Sequence, residues 1–247
     1  MALVMAQADA KVSIGAKTNA PRATFFSFPD EPDLPHATMN GHNGVKIGAA
    51  HFHVRDQFQV VTDGEFKLGR HELSPYCIHF ARAYTPYGPL VPKNGSEYTF
   101  IVMRAHHDNG AQYIAEEMEQ LRAVPNRQPW QVSSRVKFPE PQVRSGFGDV
   151  TLQTVPDMKD DKGLAAYTLI MKPNAKASAP DPADTDGQYV VVVKGSLWHE
   201  DKEYKSHALV FVRPEEGPYR IHAGAEGLEA IVLNFPRVTQ SLSLIHI

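Results

Sequence analysis

The sequence predicts an all-β chain: two antiparallel β-barrels of the jelly-roll kind, with one short helix in the connection. Three observations predict it. Short runs of β-branched and aromatic residues recur along the chain, cut by Asp-Gly, Ser-Pro, Thr-Pro and Asn-Gly breakers. A single stretch has a convincing helical composition. Two segments, QFQVVTDGEFKLG and QYVVVVKGSLWHE, share one shape: Gln, an apolar run, Gly, then a further strand. They read as a weak internal repeat of one barrel module.

Residues 1–45 are rich in Pro, Asn, Asp and Gly and read as an N-terminal arm with short strands such as ATFFSF. The first barrel, with its helix, is expected over 46–130. Its strands are AAHFHV, QFQVVT, EFKLGRHEL, CIHFARAY and EYTFIVMRA. Asp63–Gly64 reads as a hairpin turn, because that turn needs positive φ. YIAEEMEQLRAV, Tyr113 to Val124, reads as the helix, with acidic residues early and Arg122 late. Pro125 stops it. NRQPWQVSS reads as a linker.

A second barrel is expected over 131–240, from GDVTLQTV, LAAYTLIMK, QYVVVVKGSLWHE, KEYKSHALVFV, YRIHAG and LEAIVLNF. KPNAKASAPDPADTDG between them is Pro- and Asp-rich and reads as a loop. SLSLIHI, residues 241–247, lacks capping or turn logic and reads as a non-native tail.

Composition narrows the function. A formal charge of −3 gives no basic excess for nucleic acid or an anionic membrane. No run of about 18 apolar residues suggests a membrane span. The single cysteine, Cys77, excludes a disulfide within the chain and a thiolate-cluster zinc site. The apolar patch near the start has no charged segment before it and makes a poor signal peptide, so the cytoplasm is the default expectation. Serines lack a nucleophile-elbow motif, and no Gly-rich phosphate loop precedes the helix.

The informative stretch is GAAHFHVRDQFQVVTDGEF. Alternate side chains of a strand share a face, so His51 and His53 point the same way and can chelate one ion. Gln57 follows and can approach from the next strand. His79, in CIHFARAY, becomes the natural third nitrogen ligand if it faces inward. His71 reads as an exposed turn residue, and His106 and His107 as a surface loop, since neighbours on a strand face opposite ways.

These residues resemble the cupin superfamily. Its first motif is His-x-His, three residues, Glu, six residues, Gly; this chain has His51-Phe52-His53, three residues, Gln57, six residues, Gly64. Gln57 stands where the family has Glu. SPYCIHFARAYTPYGPLV resembles the second motif, with Tyr87 where a ligating His is expected. Aligning Gln188 with Gln57 and Gly195 with Gly64 puts Pro182 and Asp184 at the places of the two histidines. The resemblance implies a bicupin with a degenerate second barrel.

It also implies one divalent transition metal (Fe, Mn, Cu, Ni or Zn) held by His51, His53, Gln57 and His79, with Gln57 and Tyr87 as catalytic candidates. Gln57 either ligates or orients a histidine, and it cannot serve as a general base. Tyr87 ligates as a phenolate or serves as a pocket hydroxyl. Phe52, Phe58 and Phe80 are expected to keep water out. The expected activity is a dioxygenase-type oxidation of a small-molecule substrate. A non-catalytic binding or sensing module and a metal-assisted hydrolase are the alternatives. Exposed barrel edges favour a homodimer.

Overall fold

The structure is a computed structural model and describes residues 1–15, 19–139, 146 and 148–237. The segment 241–247 lies outside them. The chain divides into two compact units: Ala6–Lys137, and Met1–Met5 with Phe138–Ile247. No helix of the described residues is long and apolar enough to cross a membrane.

The first unit rests on a seven-stranded antiparallel sheet. Its order is Gln131–Arg135, Cys77–Ala81, Gln57–Asp63, Tyr98–Arg104, His36–His42, Pro21–Phe26 and Lys11–Ile14. A three-stranded sheet, Leu90–Pro92, Phe66–Leu68 and His71–Leu73, and a ribbon of His51–Phe52 with Gln112–Tyr113 accompany it. Neither unit has a sheet that closes on itself among the described residues.

Two strand assignments differ from the sequence reading. Three strands of the proposed arm, Lys11–Ile14, Pro21–Phe26 and His36–His42, belong to the main sheet, where Thr38 pairs with Val102. Gln131–Arg135, read as linker, pairs with Cys77–Ala81. The helix, Ile114–Ala123, lies within the first unit, ahead of that returning strand, and buries only Leu121.

Asp63–Gly64 is a corner rather than a hairpin. Gln57–Asp63 lies in the large sheet and Phe66–Leu68 in the small one. Gly64 has φ +72°, and a Cβ there would lie 2.1 Å from the Glu97 carbonyl oxygen. The close approach of backbone to backbone demands glycine.

Strand alternation sorts the interior. Val61, Phe66, Cys77, Ala81, Tyr87 and Tyr98 belong to one buried cluster. Gln57 and Gln59 alternate with Phe58, which pairs with Phe80 across the other face at 4.8 Å between ring centroids. Phe58 and Phe80 thus pack away from Gln57. An aromatic pair of this kind adds about 0.5–1.5 kcal/mol beyond its area burial.

The second unit is an eight-stranded antiparallel sheet. Its main path is Leu3–Met5, Leu209–Val212, Gln188–His199, Arg220–Asn234, Ala165–Met171 and Val150–Lys159. Lys176–Ser178, inside the segment read as a loop, pairs with Arg220–His222.

The internal repeat is geometric as well as compositional. Gly195 has φ +71°, and its Cβ would lie 2.1 Å from the Gly227 carbonyl oxygen, as at Gly64. Gln188 is paired with Asn234 at the far end of the neighbouring strand. Extending the first unit's register from Met103↔Phe58 puts Arg104 opposite Gln57. Arg104 and Asn234 therefore occupy corresponding positions.

Candidate functional site

His51, His53, Gln57 and Tyr87 meet in the first unit. His51 and Tyr87 exchange backbone hydrogen bonds, N–H to O in both directions at 3.0 Å. Their rings lie 4.5 Å apart. The His51 and His53 rings are 5.4 Å apart and nearly perpendicular, at 84°. Two imidazoles on one tetrahedral ion hold their centroids about 5.2 Å apart, so the separation alone suits a shared ligand.

Hydrogen bonding decides which lone pairs are available. His51 Nδ1 lies 2.8 Å from the Ala49 carbonyl oxygen. A carbonyl only accepts, so Nδ1 carries the proton and Nε2 the lone pair. His53 Nδ1 lies 2.8 Å from Asp108 Oδ1 and donates to it in the same way. Arg104 Nη2 lies 3.0 Å from Nδ1 and 3.2 Å from Nε2 of the same ring, so it sits over the imidazole rather than on the line of the Nε2 lone pair. The same Nη2 donates to Gln57 Oε1 at 2.7 Å. Gln57 Nε2 in turn donates to the Tyr87 hydroxyl oxygen.

Arg104 thus sits where His53 and Gln57 converge. His53 spends its Nδ1 proton on Asp108 and carries a guanidinium over its ring, and Gln57 spends its carbonyl oxygen on that guanidinium. As arranged, this set does not fit a metal ion, which would need the Gln57 oxygen that Arg104 holds and would meet a resident positive charge against His53. Among the described residues no group of three or more His, Cys, Asp or Glu side chains is placed to hold a metal.

The electrostatics follow from burial. Desolvation, reinforced by Arg104, pulls the His53 pKa down to about 3 despite the Asp108 carboxylate. Burial, set against a helpful contact with the Ala49 carbonyl, also lowers His51. Burial would raise the Asp108 carboxyl, but Arg104 and hydrogen bonds from His53 and the Gly110 N–H hold it well below its usual range. Burial pushes the Tyr87 phenol up, so it stays a neutral hydroxyl rather than a phenolate. At neutral pH the cluster is one cation, one anion and neutral imidazoles.

His79 faces inward from Cys77–Ala81, fully buried. Its ring packs 5.8 Å from Tyr87 and 5.4 Å from His71. Its Nδ1 lies 2.7 Å from Ser133 Oγ. His71 lies in the strand His71–Leu73, half-buried, rather than in an exposed turn. His107 stacks on His36 at 5.0 Å, so that loop also packs inward.

Sequence reasoning missed Arg104 and Asp108. The signal for Arg104 was present: it continues the alternation of Tyr98, Phe100 and Val102, which face the interior. Asp108 had no such pattern. Its loop turns back on itself through the Gly110 N–H bond to Oδ1, 2.7 Å, and so delivers the carboxylate. In the second unit, Gln188 Nε2 donates to Asn234 Oδ1 at 2.8 Å, an uncharged counterpart of the Gln57–Arg104 contact.

Solved structures of similar fold place the chain. The nickel(II) complex of the bacterial pirin YhhW from Escherichia coli matches with a TM-score of 0.63 at 12% identity, covering 96% of this chain and 100% of the other. A candidate dioxygenase from Nostoc punctiforme matches at 0.60 and 12%, covering 96% and 84%. Oxalate decarboxylase OxdC from Bacillus subtilis matches at 0.61 and 8%, covering 95% and 77%. The fold is that of the cupins. No protein-family model and no curated protein matches the sequence. At these identities the likeness shows the cupin fold alone, and the chemistry has to come from the site.

Proposed function

We propose that the first cupin unit binds a small polar organic molecule, a hydroxy or keto acid in class, and reads it with hydrogen bonds and the Arg104 charge rather than through a metal between His51 and His53. The observation that carries this is the Arg104 Nη2 contact with Gln57 Oε1 at 2.7 Å and with both ring nitrogens of His53, at 3.0 and 3.2 Å. Arg104 supplies the charge for a carboxylate. The neutral Tyr87 hydroxyl supplies a hydrogen bond, and His51 Nε2 accepts one from a ligand hydroxyl. The His53–Asp108 pair fixes the tautomer and orientation of its imidazole.

A thermal-shift panel of small hydroxy, keto and aromatic acids on untagged protein tests the reading. An acid that raises the melting temperature of the wild type but not of an Arg104→Gln variant supports it. Equal shifts in both, or shifts only with neutral compounds, overturn it.

The second reading is a metal-dependent oxidoreductase of the dioxygenase kind. The His51–His53 separation of 5.4 Å favours it. So do the nickel(II) of the YhhW complex and the Mn(II) centres of the oxalate decarboxylase. It requires Arg104 to leave the space between His53 and Gln57. Stoichiometric metal in untagged protein, lost in a His51→Ala/His53→Ala double variant, would establish it against the first reading.

A further inference from the structure

The first unit holds a second imidazole pair, the half-buried His71 and the fully buried His79. Their centroids are 5.4 Å apart with 61° between the ring planes. That separation again matches the roughly 5.2 Å expected of two imidazoles on one tetrahedral ion. Here the lone pairs are not spent. His79 is fully buried and its Nε2 has no hydrogen-bond partner, and the His71 Nε2 is likewise buried without one. Gln59 is the register neighbour of His79 across the sheet, so the two side chains share a face. Gln59 is 3% exposed, and its Oε1 is also unpartnered.

Three orphaned polar atoms from three strands in one interior are costly. Each buried group left unsatisfied costs about 1–3 kcal/mol, and native interiors keep few of them. The remaining contact of His79 fits ligation. Nδ1 bonds Ser133 Oγ at 2.7 Å, and a ligating imidazole commonly donates its other ring N–H to an oxygen. Ser133 also lines a cavity of about 500 Å³, with Cys77, Leu73 and Arg135, so the oxygen that holds His79 Nδ1 belongs to a residue of the cavity wall.

We propose that His71 Nε2, His79 Nε2 and Gln59 Oε1 form a site for a divalent, imidazole-preferring cation such as zinc or nickel. It is distinct from the His51–His53 pair that Arg104 occupies. Two imidazoles and an amide oxygen leave a coordination position open for water or a bound molecule.

The test uses the untagged full chain, with zinc(II) alone and nickel(II) alone as probes, in equilibrium dialysis with metal analysis. One ion per chain is expected. Its affinity falls at least about tenfold in His71→Gln and in His79→Gln and is unchanged in a His51→Gln/His53→Gln double variant. His71 is half-buried, so that variant is the one to trust should His79→Gln fail to fold. X-ray absorption on the wild-type zinc complex, counting two imidazole ligands, supports the site without any substitution. No stoichiometric ion, or an ion retained in His71→Gln, overturns the proposal. Loss in the His51/His53 variant also overturns it, and supports the metal-dependent reading of that pair instead.

Discussion

Arg104 concentrates the consequences of one residue. Its guanidinium lies 3.8 Å from the Asp108 carboxylate, and the Asp108 side chain is fully buried. Replacing it with Met leaves that carboxylate without its countercharge and the Gln57 carbonyl without its donor. Stranding one partner of a buried charge pair costs about 3–5 kcal/mol, so Arg104→Met should lower unfolding free energy by that order in urea titration. Adding Asp108→Asn should recover part of the loss, so the double variant is less destabilised than the sum of the singles. At this scale the sequence was partly legible. His51, His53, Gln57 and Tyr87 could be found from motif spacing alone, because the spacing reflects strand period and turn length. Arg104 and Asp108 reach Gln57 and His53 across separations of 47 and 55 residues. Such contacts depend on which strands pair, and no local period encodes that.

Among the elements, the glycine corners are the points of least tolerance. Gly64→Ala would place a methyl 2.1 Å from a backbone oxygen at a φ that L-residues rarely adopt, and Gly195→Ala would do the same in the second unit. Each should cost about 3 kcal/mol or more in chemical denaturation, whereas Gly217→Ala, with positive φ but nothing within 4 Å, should cost clearly less. The strands with strong β patterning, such as QFQVVT and EYTFIVMRA, were legible within a residue or two. Gln131–Arg135 was not. Its five residues carry one β-branched side chain and two serines, and its place in the sheet comes from pairing with Cys77–Ala81. The packing of Phe80 against Trp130, 5.8 Å between rings, helps to hold that edge. The Asp63–Gly64 turn was legible as a bend but not as a change of sheet, because positive φ specifies direction and not partner.

Over the whole molecule, buried histidines set the acid limit. His53 and His79 are held near pKa 3, and His36 and His42 near 4, in each case mainly by burial. Above the unfolded value near 6.5 both states are neutral, and pH has no purchase on these groups. Below it the unfolded chain binds protons that the folded chain refuses, so stability falls with pH until the folded values are reached. His53 and His79 each steepen the loss by about 1.4 kcal/mol per pH unit over that window. Melting temperature should therefore be flat from pH 8 to 7 and drop progressively from pH 6 to 4; a flat profile down to pH 4 would show that these imidazoles are not buried. The division into units was less legible than the strand content. Leu3–Met5 pairs with Leu209–Phe211, a contact spanning most of the chain, and composition gives no hint of it. Deleting Met1–Met5 should expose the edge of Leu209–Val212 and lower the stability of the second unit, read by hydrogen exchange at Val210 and Phe211, while amides of Gln57–Asp63 keep their protection.

The correspondence of Arg104 with Asn234 gives the chain an internal reference. Both positions face a glutamine across the same strand pair, at the same distance from the same kind of glycine corner, but one contact carries a full charge and the other carries none. Exchanging the two residues, Arg104→Asn and Asn234→Arg, moves the charge from one half of the molecule to the other while conserving composition. Whichever ligand or ion affinity travels with the arginine belongs to the charge, and whatever stays behind belongs to the scaffold.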